Sequence, residues 1–291
     1  KEEGILEVHF CQQENCSNYL LKLIENSRFS VHCAFFDLDL PEIINTLDKK
    51  DDLDVKLVID NENNDGIIGN RVKYDTSSQY SHNKFCIFDD NKIITGSFNP
   101  TSRGNYKNDN NIVIVESKNL AENYEDEFIE LWDERFGEGE EVNTPVIYIN
   151  NIRIENYFCP DDQCADHIIE TIKKAKESIY FMTFSFTHTG IADAILFKDV
   201  KIKGIFEKSQ AGSQYSQYQR FKDFGIDVIK DNNSANMHHK VFIIDESIVI
   251  TGSMNPSSSG DNKNDENILI IYDEEIAKEY LDEFERIWNL K

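Results

Sequence analysis

The sequence predicts an α/β protein of two pseudo-twofold-related lobes, each an α/β/α unit with a mixed sheet flanked by helices. Three observations predict it. The 291 residues repeat one long segment. Within each copy, strand-like apolar runs alternate with helix-like amphipathic ones. Hydrophobic residues make up 40% and aromatics 11%, which suits two cores, since a domain runs to roughly 100–200 residues.

The repeat comes first because it sets the domain count. TGSFNPTSRGNYKNDNNIVIV, starting at Thr95, matches TGSMNPSSSGDNKNDENILII, starting at Thr251, an offset of 156 residues (251 − 95). That offset holds from His82/His238 to Trp132/Trp288. Earlier, HFCQQENCSNYLLKLI matches YFCPDDQCADHIIETI at an offset of 148 (157 − 9). The second copy's additional residues fall in SQAGSQYSQYQRFKDFG. The units are therefore 1–136 and 146–291. Residues 137–145, rich in Gly and Glu and closing on Pro145, read as a solvated linker. Two long copies do not make a solenoid, so the expected assembly is a pair sharing one interface.

Each copy reads alike. A strand (Ile5–Phe10; 146–158 is less regular) precedes a helix with apolar spacing: Tyr19, Leu20, Leu23 and Ile24, or Ile168, Ile169 and Ile172. An apolar strand follows, SVHCAFF or SIYFMTFSF, then a helix, PEIINTL or GIADAIL, then a strand, VKLVID or IKGIFE. Two further strands of the VFIID and IVITGS type come next, then a polar loop and the strand NIVIV or NILII. The acid-rich AENYEDEFIELW or AKEYLDEFERIW closes the unit as a helix with a solvated face.

Charge narrows the function. There are 54 acidic and 30 basic residues, a net −24. A protein whose whole surface coats nucleic acid or anionic lipid is excluded, so a polyanionic substrate would need a local basic cleft. No apolar run approaches the roughly 18 residues of a membrane span. The chain begins at Lys1. With the paired cysteines described below, that leads us to expect a removed N-terminus and a secreted, periplasmic or membrane-anchored protein rather than a cytoplasmic one.

The chemistry lies in one pattern present twice: His-x-Lys, four residues, Asp, six residues, Gly-Ser-x-Asn. It comprises His82, Lys84, Asp89, Gly96, Ser97 and Asn99, and again His238, Lys240, Asp245, Gly252, Ser253 and Asn255. On a strand, positions i and i+2 face one side, so each His and Lys project together. The Gly-Ser-x-Asn turn of the next strand brings a hydroxyl and an amide beside them. An ammonium is a point charge for phosphate oxygens. Two such halves facing each other enclose one phosphoryl group.

The doubled pattern resembles the HKD signature of the phospholipase D superfamily, which includes phospholipases D, cardiolipin and phosphatidylserine synthases, tyrosyl-DNA phosphodiesterase and compact endonucleases. The resemblance covers nearly the whole chain. It implies two-step phosphoryl transfer without metal or cofactor: one His attacks phosphorus and becomes a phosphohistidine, and the other protonates the leaving oxygen and then activates water. Imidazole, with a pKa of about 6.5, suits both roles at neutral pH, and acid–base help contributes roughly 10²–10⁴-fold. Lys84, Lys240, Asn99 and Asn255 would hold the equatorial oxygens. Ser97 and Ser253 would support the site, and Asp89 and Asp245 read as structural. A single chain suffices for one site, whereas single-motif relatives dimerise.

One asymmetry separates the histidines. Glu266 stands 28 residues after His238 (266 − 238), and the same step from His82 reaches Asn110. Nucleases of this family place a Glu at about that distance, bonded to the motif His. The expectation is therefore that Glu266 raises the pKa of His238, the general acid, while Asn110 leaves His82 neutral as nucleophile. Asp109 and Asp265, next in line, are alternative orienting groups. His239 is expected to point away as a spacer or surface residue. His9, His32, His167 and His188 have no partner in the repeat and read as structural or surface residues.

Cys11/Cys16 and Cys159/Cys164 repeat one spacing and are expected to form disulfides, with free thiols or a shared zinc site as alternatives. Cys33 and Cys86 lie in apolar strands and read as core thiols. For the substrate, compactness favours a nuclease. Arg103, Lys107, Lys263, Lys73 and Lys92 are candidates for a phosphate path. The alternative is a phospholipase D or phosphatidyltransferase, for which Tyr215, Tyr218 and Phe221 would offer an aromatic face. The third reading is a catalytically silent binding module.

Overall fold

A computed structural model of the chain describes residues 1–63 and 69–290. The first copy runs β1 (Leu6–Phe10), α1 (Cys11–Glu14), α2 (Cys16–Asn26), β2 (Ser30–Phe35), α3 (Pro41–Asp48), β3 (Asp54–Asp60), β4 (Val72–Asp75), β5 (Lys84–Phe88), β6 (Lys92–Gly96), α4 (Ser102–Tyr106), β7 (Asn111–Glu116) and α5 (Lys118–Trp132). The second runs β8 (Val146–Ile149), β9 (Ile152–Cys159), α6 (Cys164–Lys173), β10 (Ser178–Thr183), α7 (Thr189–Leu196), β11 (Lys201–Phe206), α8 (Tyr218–Asp223), β12 (Asp227–Lys230), β13 (Lys240–Ile244), β14 (Ile248–Gly252), α9 (Ser258–Asn262), β15 (Glu266–Tyr272) and α10 (Glu274–Asn289).

Each copy builds its own mixed sheet. The orders are β1-β7-β6-β5-β2-β3-β4 and β12-β11-β10-β13-β14-β15-β9-β8. β2, β3 and β4 are mutually parallel, as are β10, β11 and β12, while the motif strands β5 and β13 run antiparallel to β2 and β10. The irregular 146–158 stretch is two strands broken at Asn150 and Asn151, both in the left-handed region. This hairpin gives the second sheet one strand more than the first.

The layers follow from which faces are apolar. Leu20 and Ile24 of α2 and Ile43 and Leu47 of α3 pack on the outer face of the first sheet. Ile168 and Ile172 of α6, Ile191 and Ile195 of α7, and Phe221 cover the second sheet in the same way. The inner faces share one core, into which α5 inserts Tyr124 and Phe128 and α10 inserts Tyr280 and Phe284. Fully burying each such side chain contributes roughly 1.5–3 kcal/mol. The two lobes are thus fused through their closing helices. Ser117 and Asp273 cap those helices by accepting the N–H of Leu120 and Ile276.

Several expectations change. The linker is strapped down rather than freely solvated: the N–H groups of Gly137, Gly139 and Val142 donate to carboxylates of Asp265, Asp161 and Asp162. Cys11–Cys16 and Cys159–Cys164 are disulfides. Cys33 and Cys86 are bonded as well, contrary to the core-thiol reading, because antiparallel pairing of β2 and β5 sets them directly opposite each other. The second lobe has Phe181 opposite Phe242 at the same register.

His239 is fully buried rather than at the surface, because the face it shares is the inner core face. Its Nδ1 meets Asn111 Oδ1 at 3.0 Å and its Nε2 meets Glu283 Oε1 at 3.1 Å. His9 and His32 pair with Glu14 and Glu125, His167 stacks on Tyr157, and His188 caps α7.

Candidate active site

Both motif histidines line one cleft of about 560 Å³ between the lobes, together with Asn99, Asn255 and Lys263. What brings them together is a backbone exchange. Ser81 bridges Asp265, and Met237 bridges Asp109, both parallel. The His82 N–H donates to Asp265 O and the His238 N–H to Asp109 O, each at 2.9 Å. Each lobe therefore fixes the other's histidine at the mouth of its motif strand.

The side chains repeat this crossing. His82 Nδ1 lies 2.8 Å from Glu266 Oε2, and His238 Nδ1 lies 2.9 Å from Asn110 Oδ1. This corrects the expected pairing: Glu266 orients His82, and Asn110 orients His238. The within-copy spacing was real, but β7 and β15 begin at the interface and point their first residues across it. Ser253 Oγ donates to Glu266 Oε2 at 2.8 Å, and Ser97 Oγ to Asn110 Oδ1 at 3.0 Å, so each serine hydroxyl holds the orienting group rather than the histidine. Asp109 and Asp265 act through their backbone carbonyls. The Asp109 carboxylate is taken by Arg286 at 2.5 Å.

With both Nδ1 atoms engaged, neither Nε2 has a hydrogen-bond partner among the described residues. Lys84 and Lys240 are buried beside them, 2% and 3% exposed. Each Nζ donates one bond to the carbonyl of its own motif histidine, at 2.6 and 2.7 Å. An ammonium has three donors, so two remain on each for an anion. Burial disfavours every charge here. It brings the Lys84 ammonium down to about 7 and Lys240 well below its ordinary value. It pushes Glu266 up to about 8 against the pull of Lys84. Burial, reinforced by the two lysines, also drives both imidazoles well below 6.5. A bound phosphate anion would offset the strain on the cations.

The turn residues fit the same plan. Gly96 and Gly252 have φ of +141° and +143°, and a Cβ there would lie 2.3 and 2.2 Å from the carbonyl oxygens of Asn111 and Asn267. Only glycine lets the strands approach so closely. Asn99 and Asn255 reach the cleft, and the Oδ1 of each is buried with no partner among the described residues. Asp89 and Asp245 stand at the far end of the motif strands, accepting backbone N–H bonds from Arg28 to Ser30 and from Lys176 to Ser178.

Two site residues were missed. Phe36 and Phe184 stand edge-on to His82 and His238 at 4.9 and 4.7 Å, and Lys84 and Lys240 lie over the same rings at 5.3 and 5.2 Å. Their offset of 148 (184 − 36) was the available signal. Lys73 and Lys92 do not reach the cleft: Lys73 bonds Trp132 O, and Lys92 pairs with Glu116. Tyr218 and Phe221 pack into the second lobe while Tyr215 is exposed, and none of them lines the cleft.

The family model described as cardiolipin synthase, PLD-like domain, matches residues 20–132 and 168–288, one match in each lobe. This chain belongs to the phospholipase D superfamily. A phospholipase D of Rickettsia typhi is 32% identical over 131 residues, covering 44% of this chain and 64% of that protein. A mitochondrial cardiolipin hydrolase of Xenopus tropicalis is 31% identical over 151 residues, covering 50% of this chain and 70% of that protein. The chain spans about two thirds of the length of the curated relatives it matches, 64% and 66% for the Rickettsia typhi and Rickettsia prowazekii proteins. The phosphatidylserine synthase of Haemophilus influenzae shares the fold across both lobes, with a TM-score of 0.72, 14% identity, and coverage of 97% of this chain and 85% of that one.

Proposed function

We propose that this chain is a phosphodiesterase working through a phosphohistidine, with nucleic acid as its substrate. The observation that carries the chemistry is the pair of free Nε2 atoms in one cleft, each with its Nδ1 pinned. His82 Nε2 attacks phosphorus, the bond from phosphorus to the leaving oxygen breaks, and His238 Nε2–H gives that oxygen its proton. His238 then takes a proton from water, whose oxygen attacks phosphorus. The phosphorus–nitrogen bond breaks and His82 is regenerated.

His82 is the nucleophile for a reason opposite to the one the spacing offered. The phosphohistidine ring is cationic, and Glu266 stands where that charge appears. His238 has two neutral acceptors at Nδ1, Asn110 Oδ1 and Ser97 O, which hold the proton there and leave Nε2 to shuttle. Lys84, Lys240, Asn99 and Asn255 receive the equatorial oxygens. The reaction so drawn needs no metal ion.

The lining of the cleft supports nucleic acid. It is mostly Ser, Asn, Gln and Lys, with Tyr80 42% exposed at one side. Stacking rings with local cations suit single strands. The names of the curated relatives favour a second reading, hydrolysis of phospholipid. Single-stranded and duplex oligonucleotides, phosphatidylcholine and cardiolipin vesicles, each with EDTA, decide between them. Oligonucleotide cleavage that survives chelation is expected. Lipid hydrolysis alone would replace the substrate, and loss of all turnover in EDTA would overturn the mechanism.

A further inference from the structure

The pseudo-twofold axis relates two wings of the cleft, and they differ. Each wing joins the loop before one motif histidine to the short helix of the other lobe. On the His82 side these are Ser78–Tyr80 with Ser259 of α9 and Lys263 at its end, and on the His238 side Ser234–Asn236 with Arg103 of α4 and Lys107 at its end. At the offset of 156, Tyr80 corresponds to Asn236 (236 − 80), Arg103 to Ser259 (259 − 103) and Tyr106 to Asn262 (262 − 106). Of the residues named, the two wings share the Lys107/Lys263 and Ser78/Ser234 pairs.

Arg103 carries the difference. Its Nη2 donates to Asn236 Oδ1 at 3.2 Å and its Nε to Asn108 Oδ1 at 3.4 Å. Asn236 lies two residues before His238, and Asn108 two before Asn110, which orients His238. The guanidinium is therefore tied to the two segments that lead into His238 and into the residue that orients it. Arg71, Arg135, Arg153, Arg220 and Arg286 all pair with carboxylates. Among the described residues only Arg103 and Arg28 have no such partner, although the chain carries −24, and of these two it is Arg103 that reaches across the seam to Asn236. Its charge is positioned by neutral amides and left uncancelled. Arg103, Tyr106 and Lys107 are all exposed; Arg103 and Tyr106, at i and i+3, share one face of α4, and Lys107 follows directly at its end. With Ser234 and Ala235, Arg103 and Lys107 line a groove of about 480 Å³.

We propose that this groove is a subsite for a second phosphate on the leaving-group side of the scissile bond. The inference rests on the nuclease reading and on His82 as nucleophile. In-line attack from His82 sends the leaving oxygen toward His238 and so toward the Arg103 wing. A planar guanidinium beside an ammonium suits a phosphodiester anion. The wing opposite offers Tyr80 and a single lysine, so the cleft has a direction: a more cationic end for what departs, and an end with Tyr80 for what stays.

The test uses thymidine dinucleotide, with one phosphate, and trinucleotide, with two. Wild type should favour the trinucleotide by about tenfold or more in kcat/KM, the scale of one charged contact. Arg103→Ala with Lys107→Ala should bring that ratio to within about twofold of one, Arg103→Lys should keep part of it, and high salt should erase it in wild type. Rapid quench should place the loss on phosphohistidine formation and not on its breakdown. A wild-type ratio near one, a ratio unmoved in the double variant, or a loss confined to breakdown would overturn the proposal. Failure to cleave either nucleotide would instead sink the nuclease reading beneath it. In that event, hydrolysis of cardiolipin, which also carries two phosphates, would assign the groove to a lipid and overturn the nucleotide assignment.

Discussion

Glu266→Gln separates catalysis from stability. The substitution keeps an acceptor within reach of His82 Nδ1 and removes the capacity to become a carboxylate when the ring turns cationic. A hydrogen bond to a charged group contributes roughly 1.5–3 kcal/mol. At about 1.36 kcal/mol per decade, losing it only when the imidazole becomes cationic should lower kcat by about 10–150-fold with little change in KM. Stability should move the other way. Burial raises the Glu266 carboxyl to about 8, above its unfolded value of 4.5. A raised carboxyl favours the fold below its unfolded pKa and loses that advantage as pH rises through the folded one. Near pH 8.5 the wild-type protein therefore bears a cost on the order of a few kcal/mol that the glutamine variant does not. Thermal unfolding should show the variant several degrees more stable at pH 8.5, given about 2–4 °C per kcal/mol, and equal to wild type near pH 4.5. Single-turnover kinetics and a melting series across pH would measure both. Wild-type kcat in the variant, or a lower melting temperature at pH 8.5, would refute the reasoning.

Three further outcomes follow from the same geometry. His238→Ala incubated with labelled substrate should accumulate label on His82, and label on any other residue would reassign the nucleophile. The pH profile of kcat/KM should begin to fall below 6.5, as His238 loses the proton it must give the leaving oxygen, and fall more steeply above about 7, as Lys84 loses its own in the free enzyme. Its acid limb should lie below 6.5, since His82 is pushed below that value, so a rate flat from pH 7 to 9 would contradict this. Removing Cys33–Cys86, which spans 53 residues, should cost about 4 kcal/mol by chain entropy, against about 2 for Cys11–Cys16, which spans 5. Denaturant unfolding of the paired alanine variants would measure the difference.

Much of this was legible because duplication wrote it twice. The layered α/β lobes, the two His-x-Lys strands and the glycine turns come from periodicity and offset alone. What stayed hidden depends on the relation between the copies. The 28-residue step from His238 to Glu266 lies within one copy, yet the contact is made across the interface, and no linear spacing encodes that. His239 and Asn83 occupy equivalent positions and both are buried, Asn83 against Glu127 and Asn267, but the second of those partners becomes a neighbour only when the lobes pack. The Cys33–Cys86 bond needed the β2/β5 register, which hydrophobic runs leave open. Phe36 and Phe184 looked like ordinary core aromatics because their work at the imidazole edge concerns direction, not burial.

Each orienting residue serves the histidine of the neighbouring lobe, and this has a consequence for ancestry. A symmetric dimer of single-copy chains must set the same residue against both histidines, so neither can specialise. Joining two copies in one polypeptide lifts that restriction, and Asn110 and Glu266 record the divergence. Neither lobe can now be exchanged for a duplicate of the other without forcing the two imidazoles back into one chemical identity.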